Sequence, residues 1–239
     1  MRLSVGALVA LLLLCRALAG QKPPSEKFVY DATWKLIRAG MVTLEAGKDW
    51  AGLKLQSAGL VSSLFRIDDI YSVNFAERYC ATTSVLDSLE NKRHREARVT
   101  FDREQNRAFY AERDLLTGAA VHNADVEIPD CVSEALGAML HLRETTVEVG
   151  QSVQLPVSDG RRSAMVRIEA QEREQIKTPA GSFRTVRYEA ALLNGVVYAR
   201  KGRVFLWLTD DARRTPVQIQ LRLNFPIGTV TLGLKKEEH

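Results

Sequence analysis

The sequence predicts a mainly β protein: a curved antiparallel meander sheet, forming a half-open barrel, with one covering α-helix. From Phe28 onward, apolar and polar residues alternate with a period of two, which is typical of a sheet with one dry and one wet face. Short turn sequences separate the alternating runs, so consecutive strands are expected to pair directly, without βαβ crossovers. One segment, residues 130–144, has the spacing of an amphipathic helix instead.

The N-terminal residues predict export. A positively charged residue precedes the apolar run Val5–Leu14, which is too short to span a bilayer comfortably, and Ala17-Leu18-Ala19 is a small-x-small cleavage pattern. We assign residues 1–19 to a signal peptide, 20–27 to a flexible lead-in and 28–239 to a single β-rich domain. An uncleaved membrane anchor is the alternative for the first segment. The expected location is the periplasm, after secretion across the inner membrane.

The alternating runs are the expected strands. Alternation is clearest in "VQIQLRL" (217–223), and "FVYDATWKL", "MVTLEA", "LKLQS", "ARVTFD", "MVRIEA" and "GTVTLGL" follow the same rule. The run "RVFLWL" (203–208) is apolar on both faces, which suits a strand covered on both sides. We expect one continuous sheet, because neither half alone has both a sheet and a helix to cover it. The alternative is a domain boundary near residues 144–151.

Two segments break the alternation. In "DCVSEALGAMLHLRE" (130–144), apolar residues recur at helical spacing, and Asp130 is the expected N-cap. The segment "AGLVSSLF" (58–65) is apolar without alternation and is a second, weaker candidate for a non-strand element. The first segment is the expected cover of the sheet.

Two cysteines, Cys80 and Cys131, follow the predicted cleavage point. In an oxidising compartment such a pair favours a disulfide, and two buried thiols are the alternative. The sequence contains no Cys-x-x-Cys motif, no His-Glu-x-x-His motif and no close pair of histidines. We therefore predict no metal site and no cofactor.

The strongest hint of catalysis lies in "WLTDDARRTPVQIQLRL", where Asp210 and Asp211 stand beside Arg213 and Arg214. Paired acids perform acid–base work when burial separates their pKa values. Here the arginines would keep both acids ionised, and the run lies between two predicted strands, so we interpret it as a hairpin turn. The basic run "NKRHRE" (91–96) is flanked by acids and suits a solvated strand edge better than a nucleic-acid surface. We predict no catalytic residue and no nucleic-acid partner.

A curved sheet with more apolar surface than one helix can bury would leave a groove for a hydrophobic ligand. The alternative is a fully packed core without a cavity. The candidate ligand-binding residues are apolar and come from the strands and both non-strand segments: Tyr30, Trp34, Leu44, Leu55, Leu60, Phe65, Leu136, Leu140, Leu206, Ile219 and Leu221.

Several stretches resemble a known family: "FVYDATWKLIRAGMVTLEA", "GLVSSLFRIDDIYS", "REARVTFD", "IKTPAGSFRTVRYE", "GRVFLWLTDDARRTPVQIQLRL" and "PIGTVTLGL". The family is DUF3108, a group of exported bacterial proteins of unknown function, and the resemblance extends from about residue 28 to residue 234. It implies no catalytic residues. A more distant similarity is to periplasmic lipoprotein carriers (LolA/LolB-like), which share the pattern of a strand, an Asp-containing turn, a proline and a second strand. Those carriers have a half-closed barrel with a helical lid over an apolar cavity. Because this second likeness rests on fold analogy, it implies the fold alone.

The leading hypothesis is an exported non-enzymatic protein that binds a hydrophobic ligand, either a lipid or a lipidated partner, in the bacterial envelope. The alternative is a protein–protein interaction module of the periplasm or of outer-membrane assembly. A hydrolase acting at Asp210 and Asp211 ranks last.

Overall fold

The computed structural model describes residues 25–35, 37–192, 202–223 and 228–238. The predicted signal peptide (1–19) and most of the predicted lead-in lie outside the described residues. The same holds for "LNG" (193–195), one of the short turn sequences expected between strands. The first strand begins at Glu26, two residues before the predicted start of the domain.

The described residues form one 14-stranded antiparallel sheet. The strands are β1 (Glu26–Trp34), β2 (Ile37–Ala46), β3 (Trp50–Ser57), β4 (Ile67–Phe75), β5 (Ala81–Glu90), β6 (Arg93–Asp102), β7 (Arg107–Asp114), β8 (Ala120–Glu127), β9 (Ser152–Ser158), β10 (Ser163–Thr178), β11 (Gly181–Leu192), β12 (Gly202–Thr209), β13 (Pro216–Leu223) and β14 (Thr229–Glu238). Strands that follow one another in the chain pair directly, except β8 and β9, which lie at the two edges of the sheet. Pairing of β1 with β14 joins the two halves. The predicted antiparallel meander is confirmed, and the sheet is not closed.

The sheet curves strongly, so that its two halves touch. The loop between β9 and β10 contacts β6, since a Cβ on Gly160 would lie 2.5 Å from Cγ1 of Val99. The next residue, Arg161, has its guanidinium 5.3 Å from the ring centre of Tyr110 on β7. Strands far apart in the sheet order therefore face each other, as in a half-open barrel.

In the part of the chain that the structure describes, three short helical elements interrupt the strands: α1 (Gly59–Leu64), a 3₁₀ helix (Glu77–Tyr79) and α2 (Ala135–Glu144). The weaker non-strand prediction for residues 58–65 is confirmed by α1. The helix predicted from Asp130 begins later, at Ala135, and its N-cap is Glu134. The predicted Asp130 cap is wrong, because the backbone before the helix is extended: the Val132 carbonyl accepts a hydrogen bond from the Ala81 N–H, and the Ser133 N–H donates to the Pro156 carbonyl.

Helix α2 fills part of the concave side of the sheet. Ala138 and Leu142 belong to a core cluster with residues of β9–β12. Leu140 belongs to a second cluster, with residues of β2–β8. Leu136 and Met139 pack against a third cluster, which lies on β1, β2 and β12–β14. Burying one such leucine stabilises the fold by roughly 1.5–3 kcal/mol. The helix therefore joins the two halves of the curved sheet through a common core.

The strand predicted to be covered on both faces is β12. Phe205 and Trp207 on its convex face are buried, and so are Leu206 and Leu208 on its concave face. The long β10–β11 hairpin folds over the convex side, where Glu174 accepts a hydrogen bond from the Trp207 indole at 2.8 Å. The hairpin tip is fixed to β14 by the backbone, so this part of the sheet is packed as two layers.

A disulfide joins Cys80 and Cys131. It links the end of the 3₁₀ helix to the extended segment that precedes α2. The predicted pairing is present in the structure, and a structural disulfide is typical of a compartment outside the reducing cytoplasm. Within the described ranges, none of the helices has the length and apolar character needed to cross a membrane.

Candidate functional site

The predicted ligand-binding residues separate into buried, half-buried and exposed groups. Tyr30, Leu44, Leu140 and Leu206 are at most 7% exposed and belong to the packed core. The Tyr30 hydroxyl also donates a hydrogen bond to the Pro216 carbonyl at 2.8 Å. These side chains stabilise the fold, because the sheet and α2 already cover them.

A second group is only half-buried. Its members are Trp34, Leu55, Ile219 and Leu221 on the concave face of the sheet and Leu136 on α2. The register fixes the direction of the strand residues, since Leu55 pairs with Val42, and Ile219 pairs with Leu232. Both partners are buried in the core. The concave wall around these residues is therefore apolar and incompletely covered.

The third group is exposed at one end of the sheet. Leu60 is 74% exposed and Phe65 is 42% exposed. Both belong to the α1 connection between β3 and β4, at the end of the sheet that also carries the β1–β2 and β5–β6 turns. They do not line the concave wall, so the structure divides the predicted set between an interior wall and an outer rim.

Polar side chains occupy the concave face next to the apolar wall. Asp69, Ser88 and Arg95 pair across β4, β5 and β6, and Leu55 of the apolar wall is the β3 partner of Asp69. Burial raises the pKa of Asp69, although hydrogen bonds from Ser88 and the Leu89 backbone oppose that shift. Over the described part of the chain, Asp69 Oδ1 and Arg95 Nε are buried without a hydrogen-bond partner. The concave face thus places unsatisfied polar atoms beside an apolar wall.

A polar cleft of about 880 Å³ opens at the opposite end of the sheet, around the C-terminus of α2. Arg143 forms its centre: its guanidinium contacts both carboxylate oxygens of Glu26, at 2.6 and 3.1 Å, and the backbone carbonyls of Arg213 and Arg214. Of the predicted ligand-binding residues, Leu140 lines this cleft. The cleft is held by charge pairing, and its chemistry differs from that of the apolar wall.

The Asp210–Arg214 loop borders the cleft and is a turn, as predicted. Asp211 Oδ1 accepts hydrogen bonds from the Thr209 hydroxyl at 2.8 Å and from the backbone N–H groups of Arg213 and Arg214 at 3.0 and 3.1 Å. Partial burial would raise the pKa of Asp211, but these hydrogen bonds outweigh it and lower the pKa. Asp210 points elsewhere and pairs with Arg173 at 3.2 Å. The two carboxylates therefore have different partners.

A buried carboxylate that sequence reasoning missed is Glu134. It accepts hydrogen bonds from the N–H groups of Leu136 and Gly137, at 2.9 and 2.6 Å, and from the Tyr71 hydroxyl at 2.9 Å. Burial raises the pKa of Glu134 more strongly than these hydrogen bonds lower it. A carboxylate enclosed in this way caps α2 and has no access to a substrate.

No group of three or more His, Cys, Asp or Glu residues able to hold a metal ion occurs in the ranges that the structure describes.

A family model described as "Protein of unknown function (DUF3108)" matches residues 29–235. The chain belongs to the DUF3108 family. The resemblance seen in the sequence is confirmed, and no curated protein matches this DUF3108 chain.

Two solved structures match the DUF3108 protein at low sequence identity. The beta-barrel-like protein of domain of unknown function DUF1849 from Brucella abortus is 11% identical, with a TM-score of 0.61, and the match covers 92% of this chain and 99% of that chain. A DUF1089 family protein from Pseudomonas aeruginosa is also 11% identical, with a TM-score of 0.41 and coverage of 77% and 90%. The first match supports the barrel-like architecture and assigns neither a ligand nor a reaction.

The polar residues of the concave face could have been found from the sequence of this DUF3108 protein. In "IDDIYSVNF" (67–75), a period of two places Asp69 on the same face as Tyr71, Val73 and Phe75. The aspartate thus shares a face with core residues. Glu134 carried a weaker signal, because Glu is not among the preferred N-cap residues.

Proposed function

We propose that this DUF3108 protein is an exported, non-enzymatic protein of the bacterial envelope that binds a hydrophobic ligand, a lipid or a lipidated partner, on the concave face of its sheet. The observation that carries the proposal is the half-buried state of Leu55, Ile219 and Leu221, which face inward beside fully buried core residues. Inward-facing apolar side chains are normally covered by the protein itself.

The energetic reason is the apolar surface that the fold leaves in contact with water. Each square ångström of such surface that a ligand covers contributes roughly 25 cal/mol. Helix α2 cannot move away to expose a larger cavity without breaking its core contacts, and the Cys80–Cys131 disulfide anchors the segment before it. The binding region is therefore the part of the wall nearest to α1, where Leu55 lies three residues before Ala58.

The polar neighbours narrow the class of ligand. Asp69 and Arg95 have buried polar atoms without partners in the described ranges, one an acceptor and the other a donor. A ligand with a polar head group and an apolar chain would satisfy these atoms and cover Leu55 at the same time.

Native mass spectrometry after mild extraction from the envelope tests the proposal directly. We expect a lipid to co-purify, and we expect a mature mass that begins at Gly20, as export with cleavage after Ala19 requires. If the measured mass is that of the protein without lipid, and the protein also takes up no Nile red, a neutral apolar dye, then ligand binding is contradicted. A mass that retains residues 1–19 would contradict cleavage.

Two adjacent residues of β3 provide matched variants. Leu55 faces the concave wall, whereas Lys54 is exposed on the opposite face. We expect Leu55→Gln to weaken Nile red binding by about tenfold, because it places an amide in the apolar wall. Lys54→Gln introduces the same side chain outside the wall and should leave binding unchanged. Equal binding by both variants would exclude the concave wall as the site.

A further inference from the structure

The exposed apolar residues of the α1 connection and Ile37, the first residue of β2, lie at the same end of the sheet. Leu60, Leu64, Phe65 and Ile37 are 74%, 84%, 42% and 52% exposed, and the six-residue helix α1 buries none of its residues. Single exposed apolar side chains are ordinary, but a cluster of large ones usually marks an interaction surface. We call this surface, together with its flanking residues Trp34, Lys35, Arg38, Arg66 and residues 90–93, the α1 rim.

The rim is held rigidly by the sheet. The Ala58 N–H donates to the Ala39 carbonyl at 2.8 Å, which fixes the start of α1 on β2. At the other end, the Arg66 N–H donates to the Asn91 side chain, and the Asn91 N–H donates to the Arg66 carbonyl, both at 2.8 Å. The apolar side chains are therefore presented outward from a fixed base, and the β5–β6 turn stands beside them.

Basic residues surround the apolar tip. They are Lys35, Arg38, Arg66, Lys92 and Arg93, all of them exposed. Within the rim as defined, the structure describes one acidic residue, Glu90, and Arg38 also pairs with Asp31 of β1 at 3.6 Å. Trp34 is half-buried at the same edge, with Lys35 Nζ 5.1 Å from its ring centre. Surfaces that lie in a membrane interface typically combine an apolar tip, basic residues around it and a tryptophan between the two. The α1 rim has this composition.

We propose that the α1 rim docks onto the surface of an anionic lipid bilayer. The four apolar side chains enter the boundary between head groups and acyl chains, while the basic collar contacts the lipid phosphates. A projecting tip suits a fluid bilayer, which deforms around it, better than a protein partner, which would need a matching pocket. Docking in this orientation brings the half-buried wall behind α1 to the membrane surface, but docking itself holds whether or not the wall binds a ligand.

Vesicle flotation tests the proposal with the purified mature protein. We expect it to float with vesicles that contain about 30% phosphatidylglycerol in phosphatidylcholine, to float poorly with pure phosphatidylcholine, and to be released by salt. Phe65→Ser and Leu64→Ser should each weaken the partition by about tenfold, because each removes an inserted apolar side chain. Arg66→Gln should weaken it by about fivefold.

The matched control is Phe109→Ser. Phe109 is 39% exposed, close to the 42% of Phe65, but it lies on β7, away from the rim. Its loss should change the partition by less than about twofold. Wild-type protein that stays with the soluble fraction would overturn the proposal, as would equal losses for Phe65→Ser and Phe109→Ser. Capture of a protein partner at Phe65 without flotation would also overturn it. Nile red binding without flotation would leave the ligand site standing and reject the docking surface alone.

Discussion

Substitution of Glu134 tests whether its buried carboxylate caps α2 and stabilises the fold. It is fully buried at the N-terminus of α2 and accepts three hydrogen bonds, two from the helix backbone and one from Tyr71. Replacing it with alanine would leave the two N–H groups without a partner and would remove the acceptor of the Tyr71 hydroxyl proton. Replacing it with glutamine keeps the shape and one accepting oxygen.

The expected cost of Glu134→Ala follows from these contacts. Loss of a helix N-cap costs about 1–2 kcal/mol. An unsatisfied buried hydroxyl adds about 1–2 kcal/mol, so the free energy of unfolding should fall by about 3 kcal/mol. For a domain of this size the midpoint of thermal unfolding should fall by roughly 6–12 °C.

The pH dependence of Glu134→Gln provides a second, independent measurement. Burial raises the pKa of Glu134 above its usual value of 4.5, so the folded protein keeps this proton to a higher pH than the unfolded chain does. Wild-type stability therefore loses a contribution as the pH rises from about 4.5 through the raised pKa. Glu134→Gln cannot lose a proton, so its stability relative to wild type should improve over that range.

Urea unfolding followed by circular dichroism measures both effects, with Glu148→Gln as the control. Glu148 is an exposed residue after α2 that contacts Arg173 at 3.5 Å, and its replacement should cost less than about 0.5 kcal/mol. A cost for Glu134→Ala as small as that of the control would refute the cap. A pH-independent difference between Glu134→Gln and wild type would refute the raised pKa.

Two further substitutions test the curvature of the sheet and the turn at the cleft. Gly160→Ala should lower the free energy of unfolding by about 2–4 kcal/mol, because the φ of residue 160 is +81° and the added Cβ would lie 2.5 Å from Val99. Adding Val99→Ala should not restore full stability, because the backbone strain at residue 160 persists. A Gly160→Ala variant as stable as wild type would contradict the contact. Asp211→Ala should cost about 1–2 kcal/mol in urea unfolding, whereas Asp210→Ala should cost less than about 0.5 kcal/mol; the reverse order would contradict the turn interpretation.

The architecture was predictable because strand alternation is a local signal. The period of two in runs such as "VQIQLRL" fixed the strands and their inward faces, and short turns fixed their antiparallel pairing. The two apolar faces of "RVFLWL" also predicted correctly that β12 is covered on both sides. What covers its convex face was not predictable, because the β10–β11 hairpin folds back through contacts distant in sequence.

The start of α2 was predicted wrongly for a physical reason. Asp130 is a better N-cap by residue type than Glu134, but the residues between them pair with β-structure on both sides. Tertiary hydrogen bonds to Ala81 and Pro156 outweigh the local preference. The helix therefore begins only where the extended segment ends.

The candidate site was predicted in part. Residue type and alternation identified Leu55, Ile219 and Leu221 as inward-facing, but the same criteria selected Tyr30 and Leu44, which the fold buries completely. Alternation tells which face a residue occupies. It does not tell how far along a strand the covering helix reaches, because this depends on packing between distant segments.

Three polar groups with shifted pKa values have a structural explanation, and this bears on function. Glu134 caps a helix, the Tyr30 hydroxyl bonds the Pro216 carbonyl, and Asp211 closes a turn, so shifted pKa values at these positions do not indicate catalysis. Asp69 and Arg95 differ, because each has a buried polar atom without a partner in the described ranges, on the face that carries half-buried leucines. An amphiphilic ligand would satisfy both kinds of surface at once. Docking of the α1 rim onto a lipid bilayer would place the half-buried concave wall at the membrane, where amphiphilic ligands are found. The proposals of ligand binding and of membrane docking are tested separately, but each therefore supports the other.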